Sequence, residues 1–285
     1  MGKYTVIFAG TPDFSCPALE SLIQDDRFNV KAVISQKDKP IGRKQIVMPT
    51  PVKRFALKYG IPIFQPEKLN EIKEKIGEIK PDFFVVIAYG QIIPEAILKI
   101  AKWNINLHGS ILPKYRGASP IQSALLNGDK ETGLSVMNIE KKMDAGAVYR
   151  TYKIHILPED NSETVFNKLM DLSKYLPEDL NEIANGLEPI PQDESIATYC
   201  KKIEKKDGEI DFENEIAEEI FNKMKAFTPW PGVFFIHNGK RVKILSGLID
   251  KDKGIKTKKD FFLPLKVLPE GKKEQSYEEW VRNNS

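Results

Sequence analysis

The sequence feature that most restricts the fold is the apolar run FFVVIA at residues 83–88. It follows Pro81-Asp82 and ends at Tyr89-Gly90, so turn-forming residues bound it on both sides. A continuous apolar segment of this kind is typical of a central parallel strand that is covered on both faces. Less pronounced strands at Tyr4–Ala9 and Val30–Ile34 alternate with helical segments. This alternation predicts an α/β domain with a Rossmann-like, doubly wound, mostly parallel sheet.

The pattern changes in the second half of the chain. Two further strands are predicted at Leu134–Ile139 and Val148–Ile156, and a helical stretch predicted from Ser162 to about Asn185 closes the α/β domain. Beyond it the sequence predicts a helix at about Asn214–Phe227 and a hairpin whose Asn238-Gly239 turn favours type I′. Short strands and lysines make up the remainder, which predicts a small β-barrel-like (OB-like) C-terminal domain.

These segments suggest where the domains divide. A proline-rich stretch at residues 187–192 and a charged run at Lys201–Gly208 have the composition of a linker. We therefore predict an N-terminal domain over residues 1–189, a linker over 190–207 and a C-terminal domain over 208–285.

Composition limits the kind of protein. The 285 residues are 41% hydrophobic and 29% charged, which is typical of a globular chain. Apolar runs fall short of the roughly 20 residues that a membrane helix needs, and the first residues form a strand pattern instead of a signal peptide. We expect a monomer in the cytoplasm with no membrane contact. Cys16 and Cys200 lack C-x-x-C spacing, so neither a disulfide framework nor a metal site is expected.

The first strand ends in AGTPDF, at residues 9–14. This turn lacks both the G-x-G-x-x-G fingerprint and a Walker lysine, which disfavours a dinucleotide or ATP site despite the fold.

The stretch NINLHGSILPKYRGASPIQ, residues 104–122, carries the candidate reactive groups. Asn106 and His108 lie where a predicted strand opens into a loop, and ligands of open α/β sheets bind at such strand ends. An imidazole beside an amide donor can share the negative charge that develops on a carbonyl oxygen under attack, and an aspartate can orient the imidazole and stabilise its cation. Asp144, in a glycine-flanked loop after a neighbouring strand, is the candidate partner.

The pattern places no serine, cysteine or lysine as a nucleophile, which favours direct transfer to an incoming amine over a covalent intermediate. A histidine on a strand is more often a structural residue, so the residues alone leave both interpretations open.

Several segments together resemble the methionyl-tRNA formyltransferases over nearly the whole chain. They are GTPDF, GR followed by MPTPVK, VVIAYGQIIP, NLHGSILPKYRGASPIQ, DAG and TPWPG. The pattern N-x-H-x-S-x-L-P with a later D-x-G is shared by the 10-formyltetrahydrofolate-dependent formyltransferases, and GTPDF with the GR and MPTPVK segments narrows the resemblance to the tRNA enzymes. The resemblance implies transfer of a formyl group from 10-formyltetrahydrofolate to the α-amino group of methionine on initiator tRNA.

The resemblance also implies roles for particular residues. The implied catalytic residues are Asn106, His108 and Asp144. The implied folate-binding residues are Ser110, Ile111, Leu112 and Pro113, where Ile111 replaces a leucine of similar volume.

Basic residues bear on the tRNA partner. The predicted loop from Ser35 to Thr50 contains Arg43 and Lys44 among four cations and a single acid. A cluster of this size is often only a solvated loop. In the resembled family, however, this insertion reaches the acceptor end of the tRNA and Arg43 matches a key arginine, so we predict that Arg43 and Lys44 bind tRNA. Residues 240–273 contain eleven Lys or Arg against four Asp or Glu, a field that suits a phosphate backbone.

Three alternatives remain. A sugar-nucleotide N-formyltransferase would use the same folate donor and triad, but is not expected to keep GTPDF or the Arg43 loop. A glycinamide ribonucleotide formyltransferase is disfavoured by the whole C-terminal half, and a catalytically silent RNA-binding protein by the presence of all three reactive positions. The C-terminal domain is shorter than in the resembled family around residues 248–262, which leaves its tRNA contacts open.

Overall fold

The structure is a computed structural model that describes residues 2–41 and 45–284. The chain forms two compact units. The first comprises Met1–Arg116, Gly133–Ile154 and Asn167–Thr198; the second comprises Gly117–Thr132, His155–Phe166 and Tyr199–Ser285.

The strands of the described residues are numbered in chain order. They are β1 (Tyr4–Gly10), β2 (Phe28–Ile34), β3 (Lys39–Ile41), β4 (Ile46–Met48), β5 (Ile63–Phe64), β6 (Phe83–Ile87), β7 (Trp103–His108), β8 (Arg116–Gly117), β9 (Glu131–Asn138), β10 (Val148–His155), β11 (Tyr199–Cys200), β12 (Val233–His237), β13 (Lys240–Asp250), β14 (Ile255–Lys256), β15 (Phe261–Pro269) and β16 (Gln275–Ser276).

The helices are numbered in the same way. They are α1 (Cys16–Gln24), α2 (Pro51–Lys58), α3 (Lys73–Ile79), α4 (Glu95–Leu98), α5 (Pro120–Leu126), α6 (Ser162–Leu172), α7 (Leu176–Ala184), α8 (Ala217–Ala226) and α9 (Tyr277–Arg282). Short 3-10 turns lie at Asp13–Ser15, Leu69–Ile72, Ser173–Tyr175, Glu194–Ile196 and Lys205–Gly208.

The first unit is built on a sheet with the strand order β10-β9-β7-β6-β1-β2-β5. The five strands from β7 to β5 in this order run parallel, and β9 runs antiparallel to β7. Strand β6 lies between β1 and β7, and all five of its residues are buried. The predicted mostly parallel, Rossmann-like sheet is therefore confirmed, with the FFVVIA run at its centre.

The apolar pattern explains why this sheet is stable. Phe84 and Val86 of β6 pack with Ile7, Ile34 and the helical Ile76 in one buried cluster. Alternate residues of the same strand point to the opposite face and are buried as well, because side chains of a strand alternate between faces. Burial of each large aliphatic or aromatic side chain contributes about 1.5–3 kcal/mol.

The helical stretch predicted from Ser162 to about Asn185 contains more than one helix. The segment from Ser162 to about Asn185 is divided into α6, the 3-10 turn Ser173–Tyr175 and α7. Pro177 occupies the first turn of α7. Because proline lacks an N–H and its ring clashes with the carbonyl four residues earlier, a single α-helix cannot continue through this position.

The second unit contains the C-terminal antiparallel sheet, with the order β12-β13-β15-β14 and β16 beside β15. Asn238 and Gly239 connect β12 to β13 with φ values of +48° and +74°. Both values are positive, as a type I′ turn requires, so the predicted turn is confirmed. This small sheet has the predicted β-barrel-like curl, and its longest pairing joins β13 to β15. The remainder of the chain was expected to contain only short strands, but β15 spans nine residues.

None of the helices in residues 2–41 and 45–284 combines the length and the apolar character needed to cross a membrane.

Candidate active site

The site begins at the carboxyl end of β7. Asn106 pairs with Val86 on one side and Met137 on the other, and His108 pairs with Ser135. The two side chains are two residues apart, so they lie on the same face of the sheet. Asn106 is half-buried and its side chain forms no hydrogen bond with another described residue.

His108 is 6% exposed and is held by a backbone carbonyl. Its Nε2 lies 2.9 Å from the carbonyl oxygen of Tyr115. A carbonyl oxygen can only accept, so Nε2 donates and carries the proton of the neutral ring. The other ring nitrogen, Nδ1, lies 3.7 Å from Oδ2 of Asp144, beyond direct hydrogen-bond distance. The structure therefore brings His108 and Asp144 together, and the tautomer of His108 is fixed by Tyr115 and not by Asp144.

The loop between β9 and β10 positions Asp144. Its φ of +49° lies in the left-handed region, where a non-glycine residue is strained by roughly 1–2 kcal/mol. Ala145 N donates to the carbonyl of Lys142 at 3.3 Å. A Cβ added at Gly146 would lie 2.0 Å from the carbonyl oxygen of Asn138, so only glycine fits there. The D-x-G pattern therefore has a steric cause in the turn that carries the carboxylate.

Two further residues of this region were not predicted from the sequence. The Gln192 amide donates from Nε2 to the carbonyl oxygens of Asp144, at 2.9 Å, and Gly146, at 2.7 Å. Its Oε1 accepts from Nε of Arg116 at 3.0 Å and from Nη2 at 2.9 Å. Arg116 is fully buried, and its Nη2 also lies 2.8 Å from Glu194 Oε1.

Neither residue carries a strong local signal. Arg116 lies within the NLHGSILPKYRGASPIQ stretch, but its burial is visible only in three dimensions. Gln192 lies at the end of the segment predicted to begin the linker, 76 residues after Arg116 and 48 after Asp144. A fully buried charged side chain needs partners, but this rule points to the cluster only once the burial of Arg116 is known.

The predicted folate segment follows β7 directly. Ser110 is fully buried, its Oγ donates to the carbonyl of Lys114 at 2.6 Å, and its own carbonyl accepts from Ser135 Oγ at 2.7 Å. The next three residues, Ile111, Leu112 and Pro113, are only half-buried. The hydroxyl of Ser110 thus holds the segment in place while the apolar side chains after it remain partly accessible.

The neighbouring strand end, after β6, is also fixed. The carbonyl oxygen of Tyr89 accepts from Thr11 Oγ1 at 3.0 Å and from Gln36 Nε2 at 3.2 Å. The ring of Tyr89 is buried, and this burial raises the pKa of its hydroxyl to about 12. The hydroxyl therefore stays protonated at neutral pH and does not act as a base.

The predicted tRNA-binding residues Arg43 and Lys44 lie outside the described residues. On either side of them, β3 and β4 pair as an antiparallel hairpin where a plain loop was expected. Ile46 and Val47 of β4 are exposed. At the base of the hairpin, Lys53 Nζ lies 2.6 Å from Asp38 Oδ2, and hydrogen bonds from Gln65 and Lys53 lower the pKa of Asp38.

Comparison with known proteins gives the same picture for both parts of the chain. A family model described as Formyl transferase matches residues 3–178, and one described as Formyl transferase, C-terminal domain, matches residues 202–285. The methionyl-tRNA formyltransferase of Dictyoglomus thermophilum is 40% identical, over 97% of this chain and 96% of that protein.

Two solved structures share the fold. The methionyl-tRNA formyltransferase from Clostridium thermocellum has a TM-score of 0.62 at 17% identity, and the match covers 96% of this chain and 98% of the Clostridium chain. WlaRD, a sugar 3N-formyl transferase solved in the presence of dTDP and 5-N-formyl-THF, has a TM-score of 0.68 at 19% identity, over 96% and 100% of the two chains. These likenesses bear on the fold alone. The sequence match across nearly the whole length decides the family: this chain belongs to the methionyl-tRNA formyltransferases.

Proposed function

We propose that this chain transfers the formyl group of 10-formyltetrahydrofolate to the α-amino group of methionine esterified to initiator tRNA, giving formylmethionyl-tRNA. The observation that carries the proposal is the placement of His108 and Asp144, 3.7 Å apart, at the strand end that also presents Asn106, in a chain of this family. The same geometry supplies a role for each of the three side chains.

Asn106 acts on the developing negative charge. An α-amino group has a pKa of about 7.7–8.0, so a useful fraction is neutral and nucleophilic near pH 7. Its attack on the formyl carbon places a full negative charge on the formyl oxygen. The Asn106 side chain forms no hydrogen bond with another described residue. Its amide protons can therefore be donated to that oxygen. Stabilisation of this kind is often the largest single contribution to catalysis.

His108 and Asp144 handle the proton. Because Nε2 of His108 donates to Tyr115, its Nδ1 is an acceptor that faces the carboxylate of Asp144. Nδ1 of His108 accepts the proton that the attacking amine loses, and the carboxylate of Asp144 stabilises the proton there. The resulting imidazolium also places positive charge near the oxyanion. As the bond between the formyl carbon and N10 breaks, the pair returns the proton to N10, so no net charge remains.

The folate donor is assigned to Ser110, Ile111, Leu112 and Pro113. Three half-buried apolar side chains beside the reactive strand end suit the flat, largely apolar face of a pterin-type ligand. WlaRD was solved in the presence of 5-N-formyl-THF, which supports a formylfolate as the donor.

The acceptor tRNA is assigned to basic residues away from the reactive groups. We propose that Arg43 and Lys44 contact the acceptor end, and that the basic residues between 240 and 273 contact the phosphate backbone. Residues 190–207 would link the catalytic domain to this tRNA-binding domain. Binding through phosphates releases counterions, so the affinity for tRNA should fall steeply as salt rises.

The decisive experiment compares acceptors with 10-formyltetrahydrofolate as donor. Methionyl initiator tRNA, an amino-sugar nucleotide and water are offered separately, and formylated product is measured. We expect transfer to the tRNA alone. Transfer only to the amino sugar would favour a sugar-nucleotide N-formyltransferase, and no transfer to any acceptor would contradict the enzyme assignment.

A further inference from the structure

We infer that Gln192 is a positioning residue of the formyl transfer, which holds the Asp144 loop so that the carboxylate faces His108, and that buried Arg116 holds Gln192 in turn. The inference rests on the proposed role of Asp144. It adds to that role a residue from a distant part of the sequence whose side-chain amide bonds to the loop of Asp144.

The first step is the geometry of the Gln192 amide. Its Nε2 has two protons and both carbonyl acceptors belong to the catalytic loop, at Asp144 and Gly146. These carbonyls lie on either side of Ala145, so one side chain fixes the turn at two points. A planar amide with two short bonds restrains both the position and the orientation of the peptide units that it contacts.

The second step is that the loop has a conformation worth restraining. Asp144 has a φ of +49°, which a non-glycine side chain disfavours. Within the turn, the hydrogen bond from Ala145 N to the carbonyl oxygen of Lys142 is long, at 3.3 Å. Strained residues of this kind persist when the surrounding structure holds them. The bonds from Gln192 supply such a restraint at the residue that carries the carboxylate.

The third step is the anchoring of Gln192 itself. Its oxygen accepts two bonds from Arg116, whose guanidinium is fully buried. The charge of Arg116 is balanced by Glu194, and hydrogen bonds from Arg116 and Lys142 lower the pKa of Glu194 to about 2. Gln192 is therefore not needed as a counter-charge. Its distinguishing property is that it accepts from Arg116 and donates to the loop at once.

This property defines a discriminating pair of variants. Gln192→Glu keeps the length and still accepts from Arg116, but it turns a carboxylate oxygen toward the two loop carbonyls. Gln192→Met keeps the approximate volume and loses both functions. If Gln192 only satisfies Arg116, the Glu variant stays active; if it positions the loop, both variants lose turnover.

We expect kcat to fall by about 10²-fold in both variants, a loss typical of a catalytic group displaced by about 1 Å. The KM values for 10-formyltetrahydrofolate and for methionyl-tRNA should change little, because the Gln192 amide already bonds to Arg116 and to the loop carbonyls. Ser195→Ala serves as the control, since its exposed hydroxyl bonds to Asp193 in the same segment and not to the loop. Thermal unfolding of each variant shows whether the fold is kept.

The coupling to Asp144 is tested by combining Gln192→Met with Asp144→Asn. Residues that act through one another give non-additive effects. We expect Gln192→Met to reduce turnover little once Asp144 has been replaced by asparagine. Wild-type turnover of Gln192→Glu, or full additivity in the double variant, would overturn the inference while leaving the proposed function intact. Wild-type turnover of Asp144→Asn alone would instead refute the proposed role of Asp144, and the inference with it. If Gln192→Met does not fold, Gln192→Glu decides the question.

Discussion

Two aspartates of the first unit, Asp144 and Asp179, both face polar side chains but differ in burial. The Asp144 side chain is 18% exposed, in a loop, and faces His108. The Asp179 side chain is 3% exposed, on α7; its Oδ1 accepts from Tyr152 at 2.8 Å and lies 3.0 Å from Arg150 Nε. Its Oδ2 is buried without a hydrogen-bond partner among the described residues. Burial raises the pKa of Asp179 to about 6, although Tyr152 and Arg150 act in the opposite direction.

The difference shows that a perturbed carboxyl group does not by itself mark the site of chemistry. Perturbed pKa values are concentrated at functional sites, but structural networks perturb them too. Asp179 ties α7 to β10 through Tyr152 and Arg150, and substrate cannot reach a side chain that is so deeply buried. Asp144 is accessible and faces a histidine whose tautomer is fixed. We therefore interpret Asp179 as structural and Asp144 as catalytic.

Replacement of each aspartate by asparagine tests these two assignments directly. Asp144→Asn should lower turnover by about 10²–10⁴-fold, because it removes the group that shares the transferred proton. Asp179→Asn should leave turnover unchanged in protein that remains folded. Steady-state formylation of methionyl-tRNA measures both. A strong loss of turnover in folded Asp179→Asn, with Asp144→Asn active, would reverse the two assignments.

Asn106 is the second residue of the proposed site whose replacement should lower turnover. Asn106→Ala removes the proposed donor to the oxyanion, and loss of one such donor costs on the order of 3–4 kcal/mol of barrier. The loss should appear in kcat while KM for both substrates stays close to wild type, since the interaction forms mainly in the transition state. Asn104→Ala on the same strand is the control, because the Asn104 amide bonds to the carbonyl of Leu98. Wild-type turnover of Asn106→Ala would remove Asn106 from the mechanism.

The sequence predicts the parts of the site that depend on local pattern. The apolar run of β6 determines a central strand, and the two-residue spacing of Asn106 and His108 puts both side chains on one face. The D-x-G pattern suggested the loop of Asp144, and the structure shows that Gly146 is needed there for steric reasons. These features can be predicted because a few neighbouring residues decide them.

Other parts of the site depend on long-range contacts that no period or spacing encodes. Gln192 lies 48 residues from Asp144 along the chain, and the carbonyl of Tyr115 is a backbone group that any residue could supply. The break between α6 and α7 is a different case. Pro177 is a local signal for it, because proline is tolerated in the first turn of a helix but not in its interior.

The raised pKa of Asp179 gives a prediction of stability against pH. The pKa is about 6 in the folded state and 3.8 for the ordinary group, so the folded state binds more protons between these values. Stability from Asp179 is therefore greatest below about pH 4 and is lost as pH rises to about 6, by up to about 3 kcal/mol. Asp179→Asn removes this loss. In urea unfolding, the free energy of unfolding of Asp179→Asn minus that of wild type should increase from pH 4 to pH 7. A difference that stays constant with pH would contradict the argument from burial.

Tyr152 donates a hydrogen bond to Asp179, and its removal should perturb stability only modestly. Tyr152→Phe keeps the ring that stacks on Tyr175 and removes only the hydroxyl. The ionised carboxylate loses a hydrogen bond worth about 1.5–3 kcal/mol, and the protonated form loses less. The pKa of Asp179 should rise further, and the destabilisation should be larger at pH 8 than at pH 5. Urea unfolding at the two pH values measures it. Because Tyr152 acts on the structural aspartate alone, turnover of the folded variant should match wild type, and a parallel loss of turnover would show that the two aspartates are coupled.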